Sequence, residues 1–184
     1  MDKFELNFAF MDGDLALCEE LRQKGCALEF SHNDVREALL SGNLELILWL
    51  RNWYEEHWVF FCERYYPFPN AVMGGNVALA QMVWDFSLEH PRLDVLELGS
   101  SGVLDYALQS NNPEMVVWVE QKYPNEKVTQ RHLMNAMSQD SEEVIVWVLR
   151  NRKVETDEDL LCCAIECMCE KVTLELKGLA SSEY

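Results

Sequence analysis

The chain has 184 residues, 49% of them hydrophobic, and its 32 acidic residues outnumber its 15 lysines and arginines to give a net charge of −17. This apolar content is enough to build a core, which excludes wholesale disorder. A surface of such charge repels phosphate backbones and anionic membranes, so we expect neither nucleic acid nor a membrane as partner and favour a protein with a basic surface.

The two ends of the chain indicate its compartment. The stretch MDKFELNFAF lacks the basic start and continuous apolar core of a signal peptide, and no apolar run approaches the ~20 residues of a membrane helix. The seven cysteines are an odd number, and four of them crowd into CCAIECMC. Free thiols fit this pattern better than a disulfide framework. We therefore expect the protein in the cytoplasm or nucleocytoplasm. We also expect a monomer.

A short phrase recurs along the chain, from ALLSGNLELILWL at residues 38–50 to AMSQDSEEVIVWV at residues 136–148. Its small first residue recurs at spacings of 29, 33, 36, 29 and 28 residues, at Ala9, Ala38, Ala71, Ala107, Ala136 and Ala164. Apolar residues stand three before, eight after and twelve after each of these alanines. A period in this range is typical of stacked supersecondary units.

Within each unit the pattern predicts a helix, a tight stop, a cap and a second helix. The stop residues tolerate left-handed backbone, and the residues that follow them are favoured N-caps. These pairs are Gly13–Asp14, Gly42–Asn43, Gly75–Asn76, Asn111–Asn112 and Asp140–Ser141. The sixth unit has Met168 and Cys169 there, which predicts either a degenerate terminal cap or a continuous helix.

One helix pair of this size cannot bury its own apolar face, whereas stacked pairs cover one another. We therefore predict an all-α fold, an α-solenoid of five to six stacked helix-turn-helix repeats forming one domain over residues 1–184, with room for short hairpins at the longer junctions. The units are expected near residues 4–33, 34–66, 67–102, 103–131, 132–160 and 161–180, the last as a C-terminal cap.

These units resemble the ankyrin repeat. The first has Leu6, Ala9, Gly13, Leu17 and Leu21 in the family's positions and Gly25-Cys26-Ala27 where the family writes Gly-Ala-Asp; the third begins Pro67-Phe68 where it writes Pro-Leu. The tryptophan late in the second helix (Trp49, Trp118, Trp147) is similar to the divergent WL repeats of large DNA viruses, amoebae and oomycetes. No unit carries the full Thr-Pro-Leu-His start. The resemblance implies an ankyrin-like fold and, in its viral form, a pathogen protein that engages host signalling.

The most unusual stretch is WLRNWYEEHWVFFCERYYPFP, residues 49–69, where the repeat spacing lengthens to 33. We interpret part of it as an extended connection. Aromatic side chains carry large contact areas and are enriched at binding hot spots. The predicted partner-binding residues are Trp53, Tyr54, Trp58, Phe60, Phe61, Tyr65 and Tyr66. The alternative is that these side chains fill space between the second and third units.

The longest connection, SLEHPRLDVLELGSSG at residues 87–102, gives the spacing of 36. Pro91 and the stretch from Gly99 to Gly102 mark turns. The connection is either a projecting recognition loop or a tolerated insertion.

The sequence gives little indication of a catalytic site. The sequence has no Gly-rich phosphate loop, no zinc-protease histidine pair and no nucleophile in a recognisable context, so we predict no enzymatic activity and no cofactor. In CCAIECMC, only Cys163 and Cys167 share a helical face, while Cys162 and Cys169 lie on a neighbouring stripe, so we predict no metal site. The function expected is non-catalytic protein–protein binding. A metal- or redox-responsive role for these cysteines, or acidic mimicry of nucleic acid, stays open as an alternative.

Overall fold

A computed structural model describes residues 8–24, 31–65, 67–90, 100–139 and 141–182, and every regular element in these ranges is a helix. The chain is therefore all-α, as predicted. It divides into two compact units, Met1–Glu97 and Leu98–Tyr184. A single array that runs across this boundary stays a prediction. Over the described ranges, no helix is both long and apolar enough to cross a bilayer.

The described part of the first unit opens with a helical turn at residues 8–11. Six helices follow: α1 (Leu15–Gln23), α2 (His32–Leu40), α3 (Leu44–Trp53), α4 (Glu55–Tyr65), α5 (Pro67–Met73) and α6 (Val77–Glu89). Helix α2 contacts α3, α4 and α5, while α3 also contacts α1 and α4, and α5 packs against α6. Helices α2 and α3 thus form the centre of this unit.

The second unit contains, over its described residues, α7 (Ser100–Gln109), α8 (Pro113–Lys122), α9 (Gln130–Met137), α10 (Glu142–Asn151), α11 (Glu158–Glu166) and α12 (Glu170–Ser182). Helix α9 contacts both α7 and α11, and α10 contacts both α8 and α12. Each of α7, α9 and α11 also contacts the helix that follows it. Helix pairs therefore pack side by side within this unit.

Left-handed backbone separates the two helices of five pairs. The φ angle is +66° at Gly13 and Gly42, +73° at Gly75, +51° at Asn111 and +57° at Met168. The four predicted stops in this set are confirmed, whereas the fifth predicted stop, Asp140, lies outside the described residues. Because Met168 adopts the same conformation, α11 ends before α12 begins, and the continuous-helix alternative for the sixth unit is wrong.

Buried small residues allow these helices to approach one another. The six aligned alanines are each 1% exposed or less: Ala9, Ala38, Ala71, Ala107, Ala136 and Ala164. The residues twelve positions later are also buried: Leu21, Leu50, Val83, Val119, Val148 and Leu176. The period in the sequence thus corresponds to the buried face of every pair, as expected when one helix stripe supplies the core.

The N-cap asparagines of α3 and α6 join neighbouring pairs. Asn43 Oδ1 accepts a hydrogen bond from the N–H of Leu46 at 3.1 Å, while its Nδ2 donates to the carbonyl of Gly13 at 2.7 Å. Asn76 caps α6 in the same way and donates to the carbonyl of Gly42 at 2.9 Å. A side-chain amide can accept and donate at once. It therefore caps its own helix and satisfies a carbonyl at the preceding stop.

Ser141 departs from this arrangement. Its hydroxyl lies 3.3 Å from the carbonyl oxygen of Gln139 and 3.5 Å from that of Gln109, and toward either it acts as a donor. The N–H of Val144, in the first turn of α10, instead donates to Asn111 Oδ1 at 3.4 Å. Ser141 therefore stands at the predicted N-cap position of α10, but its side chain makes no cap bond, because the stop residue of the preceding pair supplies the acceptor.

The aromatic stretch contains a helix where the sequence predicts an extended connection. Trp58, Phe61 and Cys62 of α4 are buried and lie three and four positions apart, which is the helical period. The N–H of Trp58 donates to the carbonyl of Tyr54, so α4 begins directly after α3. The longer spacing here therefore accommodates an extra helix rather than a hairpin.

The structure describes only part of the longest connection, residues 87–102. Residues 91–99, which include Pro91, lie outside the described ranges. Gly102 is helical, in the first turn of α7. The predicted turn at this glycine is wrong, because α7 already begins at Ser100.

Asn43 both caps α3 and donates to Gly13 of the preceding pair, and a matched pair of substitutions separates these two roles. Asn43→Asp keeps a cap acceptor but replaces the donor to Gly13 with a carboxylate oxygen facing that carbonyl, so we expect a loss of about 1–2 kcal/mol in the free energy of unfolding. Asp14 caps α1 by accepting from Leu17 and is the control. Asp14→Asn should change stability by less than about 0.5 kcal/mol, since the two caps are equivalent. Urea unfolding followed by circular dichroism measures both, and equal losses would contradict the inter-pair role.

Candidate functional site

The aromatic residues predicted to bind a partner do not form one surface. Trp58 is 0% exposed and Phe61 is 2% exposed, and the Trp58 ring meets that of Phe86 edge-on at 5.9 Å. Their burial removes them from any surface that a partner reaches and supports the space-filling interpretation for these two. Tyr66 lies outside the described residues.

Two further aromatics contact different neighbours. The ring of Tyr65 stacks on His32 at 4.6 Å and an interplanar angle of 11°, which ties the end of α4 to the start of α2. Phe60, 51% exposed, lies under the Arg64 guanidinium of its own helix at 4.6 Å. These side chains occupy different faces of α4, because positions 60 and 64 are one turn apart and position 65 belongs with buried Phe61.

The remaining predicted residues, Trp53 and Tyr54, join side chains of α1. We call this group the Trp53 cluster; it consists of Glu19, Arg22, Trp49, Trp53 and Tyr54. The Arg22 guanidinium lies over the Trp53 ring, 3.9 Å from its centroid, and Trp53 is 51% exposed. The rings of Trp49 and Tyr54 are 5.6 Å apart.

Glu19 holds the cluster together. Its carboxylate accepts from Arg22 Nη2 at 2.6 Å and Nε at 2.9 Å, from the indole N–H of Trp49 at 2.7 Å and from Gln23 at 3.1 Å. Glu19 and Arg22 are three residues apart on α1, and Trp49 and Trp53 are four apart on α3, so each helix presents its pair on one face. The Arg22 position over Trp53 is therefore set by contacts on two helices.

The electrostatics keep this arrangement charged over a wide pH range. Hydrogen bonds from Arg22, then from Trp49 and Gln23, lower the pKa of Glu19 to about 2. A depressed carboxyl pKa means that the interaction is complete above the unfolded-state pKa and is lost only as the pH falls through the folded value. Burial raises the pKa of Tyr54, so its phenol also keeps its proton at neutral pH. The cluster offers fixed charges and ring faces rather than a titrating acid or base.

Glu19 and Arg22 are not among the residues predicted from the sequence, although the spacing between Glu19 and Trp49 pointed to them. Glu19 and Trp49 are 30 residues apart, close to one repeat spacing, so they occupy adjacent columns of neighbouring units. The other tryptophans of this column lie beside cations, with Lys122 Nζ 5.3 Å from the Trp118 ring and Arg152 4.8 Å from the Trp147 ring. Half-exposed Trp53, by contrast, adds a ring that a partner can reach.

The C-terminal cysteines lie at the junction of α11 and α12. Burial, and then the neighbouring Cys167, raises the pKa of the Cys163 thiol, while Cys169 is buried and its thiol donates to the carbonyl of Met137 at 3.5 Å. No group of three or more His, Cys, Asp or Glu side chains in the described ranges is placed to hold a metal ion. Elsewhere, burial raises the pKa of the Cys18 thiol to about 12, which leaves it a poor nucleophile.

Comparison of the chain with family models, curated proteins and solved structures gives no match. The function is therefore inferred from the geometry and chemistry of the chain's own residues.

Proposed function

We propose that the chain is a non-catalytic protein-interaction module of the ankyrin type, in which five to six stacked helix pairs present a binding surface. Three recurring features support this proposal: the left-handed stops, the buried alanines and the asparagines that join one pair to the next. Each recurs near the repeat spacing. Such stacks form binding surfaces without needing catalytic groups.

The observation that carries the proposal is the half-exposed Trp53 ring under the clamped Arg22 guanidinium. Tryptophan and arginine are, with tyrosine, the residue types most enriched at binding hot spots. Because Glu19 already fixes Arg22, little side-chain entropy is lost when a partner covers the pair. The Trp53 cluster therefore combines contact area with a preorganised geometry.

The net charge of −17 favours a partner with a basic surface. Complementary charge raises the association rate and selects among partners, while buried aromatic contacts supply most of the affinity. An interface of this kind weakens only mildly as salt rises. Mimicry of nucleic acid would instead lose affinity by orders of magnitude between about 50 and 200 mM salt.

Trp53→Ala tests the proposal, with Phe60→Ala as its matched control. Both aromatics are 51% exposed and lie under an arginine, so both variants remove similar apolar surface. We expect Trp53→Ala to weaken partner binding by at least about tenfold, which is 1.4 kcal/mol or more. Phe60→Ala should leave binding nearly unchanged.

The measurement has two steps. Wild-type protein captures partners from a lysate with quantitative mass spectrometry, and each partner is then purified and titrated against wild type and both variants by calorimetry. Partners that bind both variants as tightly as wild type would contradict the Trp53 cluster as the site. Loss of binding in Phe60→Ala alone would transfer the site to the outer face of α4.

A further inference from the structure

A cleft of about 350 Å³ lies within the second unit. Its walls come from Glu120 of α8, from the connection after α8, with Pro124, Glu126, Lys127 and Val128, and from the residues after α10, Arg152 and Lys153. We call it the Lys127 cleft. Val128 is only 7% exposed and supplies an apolar wall. The volume is within the range of small-molecule and ligand-group sites.

Arg152 is held rigidly in this cleft. Its Nη2 donates to Glu120 Oε2 at 2.9 Å and its Nε to the same oxygen at 3.1 Å, while Nη1 donates to the carbonyl of Asn151 at 3.1 Å. The guanidinium also lies 4.8 Å from the centroid of the Trp147 ring. A guanidinium has five N–H groups, so one on each of Nη1 and Nη2 is left to bind a ligand.

Lys127 and Lys153 are the unusual members of the cleft. Three other cations of this unit form ion pairs: Arg150 with Glu175, Arg152 with Glu120 and Lys171 with Glu143. Lys127 and Lys153 are exposed, and neither has an ion pair or hydrogen bond to any residue in the described ranges. Three cationic side chains of the lining stand against two carboxylates, Glu120 and Glu126, so the cleft carries a formal charge of +1 in a chain with 32 acidic residues.

We propose that the Lys127 cleft binds one small oxyanion, a phosphate or a carboxylate group. Arg152 supplies a planar pair of donors at a fixed orientation, and the two lysines supply mobile point charges that close on the ligand. Glu120 orients Arg152 and is a positioning residue. The strongly acidic remainder of the surface repels long polyanions, so the ligand is a single anionic group rather than a nucleic acid strand.

The test uses the full-length chain and amide NMR. Sodium phosphate, phosphoserine and N-acetylaspartate are titrated separately at constant ionic strength set with sodium chloride. We expect saturable shifts confined to amides near residues 124–128 and 152–153. Comparison of the phosphate and phosphoserine titrations with the N-acetylaspartate titration shows which oxyanion binds. Saturable shifts in any one of these titrations support the site.

A charge-matched control separates specific binding from bulk electrostatics. Lys127→Ala/Lys153→Ala should weaken binding by about tenfold or more. Lys171→Ala/Lys177→Ala makes the same change in net charge in the same unit and should leave it unchanged. All four lysines are exposed, and circular dichroism checks that both variants fold. Shifts that do not saturate in any arm, or equal losses in the two variants, would overturn the proposal. Because this cleft and the Trp53 cluster share no residue, failure here leaves the Trp53→Ala test standing.

Discussion

Replacing Trp58 with alanine is expected to lower the free energy of unfolding of the first unit by about 3–5 kcal/mol. The indole is 0% exposed and packs edge-on against Phe86 from α6. The truncation removes the largest fully buried side chain of α4 and leaves a cavity that the surrounding helices fill only in part. Urea unfolding followed by circular dichroism measures the loss.

Two further variants identify its cause. Trp53→Ala removes the same side chain at a site that is 51% exposed, so we expect a loss below about 1 kcal/mol. Trp58→Phe retains a ring and also removes an indole N–H that has no hydrogen-bond partner among the described side chains and backbone. Its loss should fall well below that of Trp58→Ala, because an unsatisfied buried donor is itself costly. Equal losses at positions 53 and 58 would contradict the core role of α4.

Replacing Gly74 with alanine is expected to destabilise the first unit by about 1–3 kcal/mol. A Cβ atom at this position would lie 2.2 Å from the carbonyl oxygen of Leu39 and 3.1 Å from the amide nitrogen of Gly42. Both are backbone atoms at the end of α2, so no side chain can rotate away. The variant must separate the ends of α2 and α5, which are otherwise in direct contact.

Gly178→Ala is the control for this substitution. Gly178 lies inside α12, and a Cβ there would meet no atom of the described residues within 4 Å beyond its chain neighbours and its own helix backbone. Alanine is the better helix former, so we expect this variant to gain about 0.5–1 kcal/mol. Thermal and urea unfolding of the two variants should therefore shift in opposite directions. A neutral Gly74→Ala would mean that the two helix ends can separate without loss.

Much of the fold follows from local chemistry in the sequence. Glycine at positions 13, 42 and 75 ends a helix because left-handed backbone carries no penalty without a Cβ atom, and the Asp or Asn that follows accepts from a free N–H of the next helix. The buried alanine at each anchor and the apolar residues after it repeat with the helical period. These rules act within a few residues, so the helix pairs could be predicted before any contact was known.

Local residue preferences did not predict the backbone or the hydrogen bonding at two helix boundaries. Met168 has left-handed backbone at the end of α11, although a residue with a Cβ atom disfavours that conformation. The Ser141 hydroxyl donates to the carbonyl of Gln109, although it was expected to accept a hydrogen bond as the cap of α10. In both cases a residue at the helix boundary bonds to the preceding pair. Cys169, directly after Met168, donates to Met137 of the preceding pair, just as Ser141 lies beside the carbonyl of Gln109.

The sequence by itself determined the helical class, the pairing of helices and the columns that become core, because periodicity and backbone preference are short-range properties. Only the tertiary structure decided which aromatic residues are buried and which are exposed. It turned Trp58 inward and left Trp53 outside, and it brought Glu19 to Trp49 across 30 residues. The physical reason is that side-chain burial depends on which helix packs over a given face. That choice depends on contacts between distant segments, which local residue patterns do not specify.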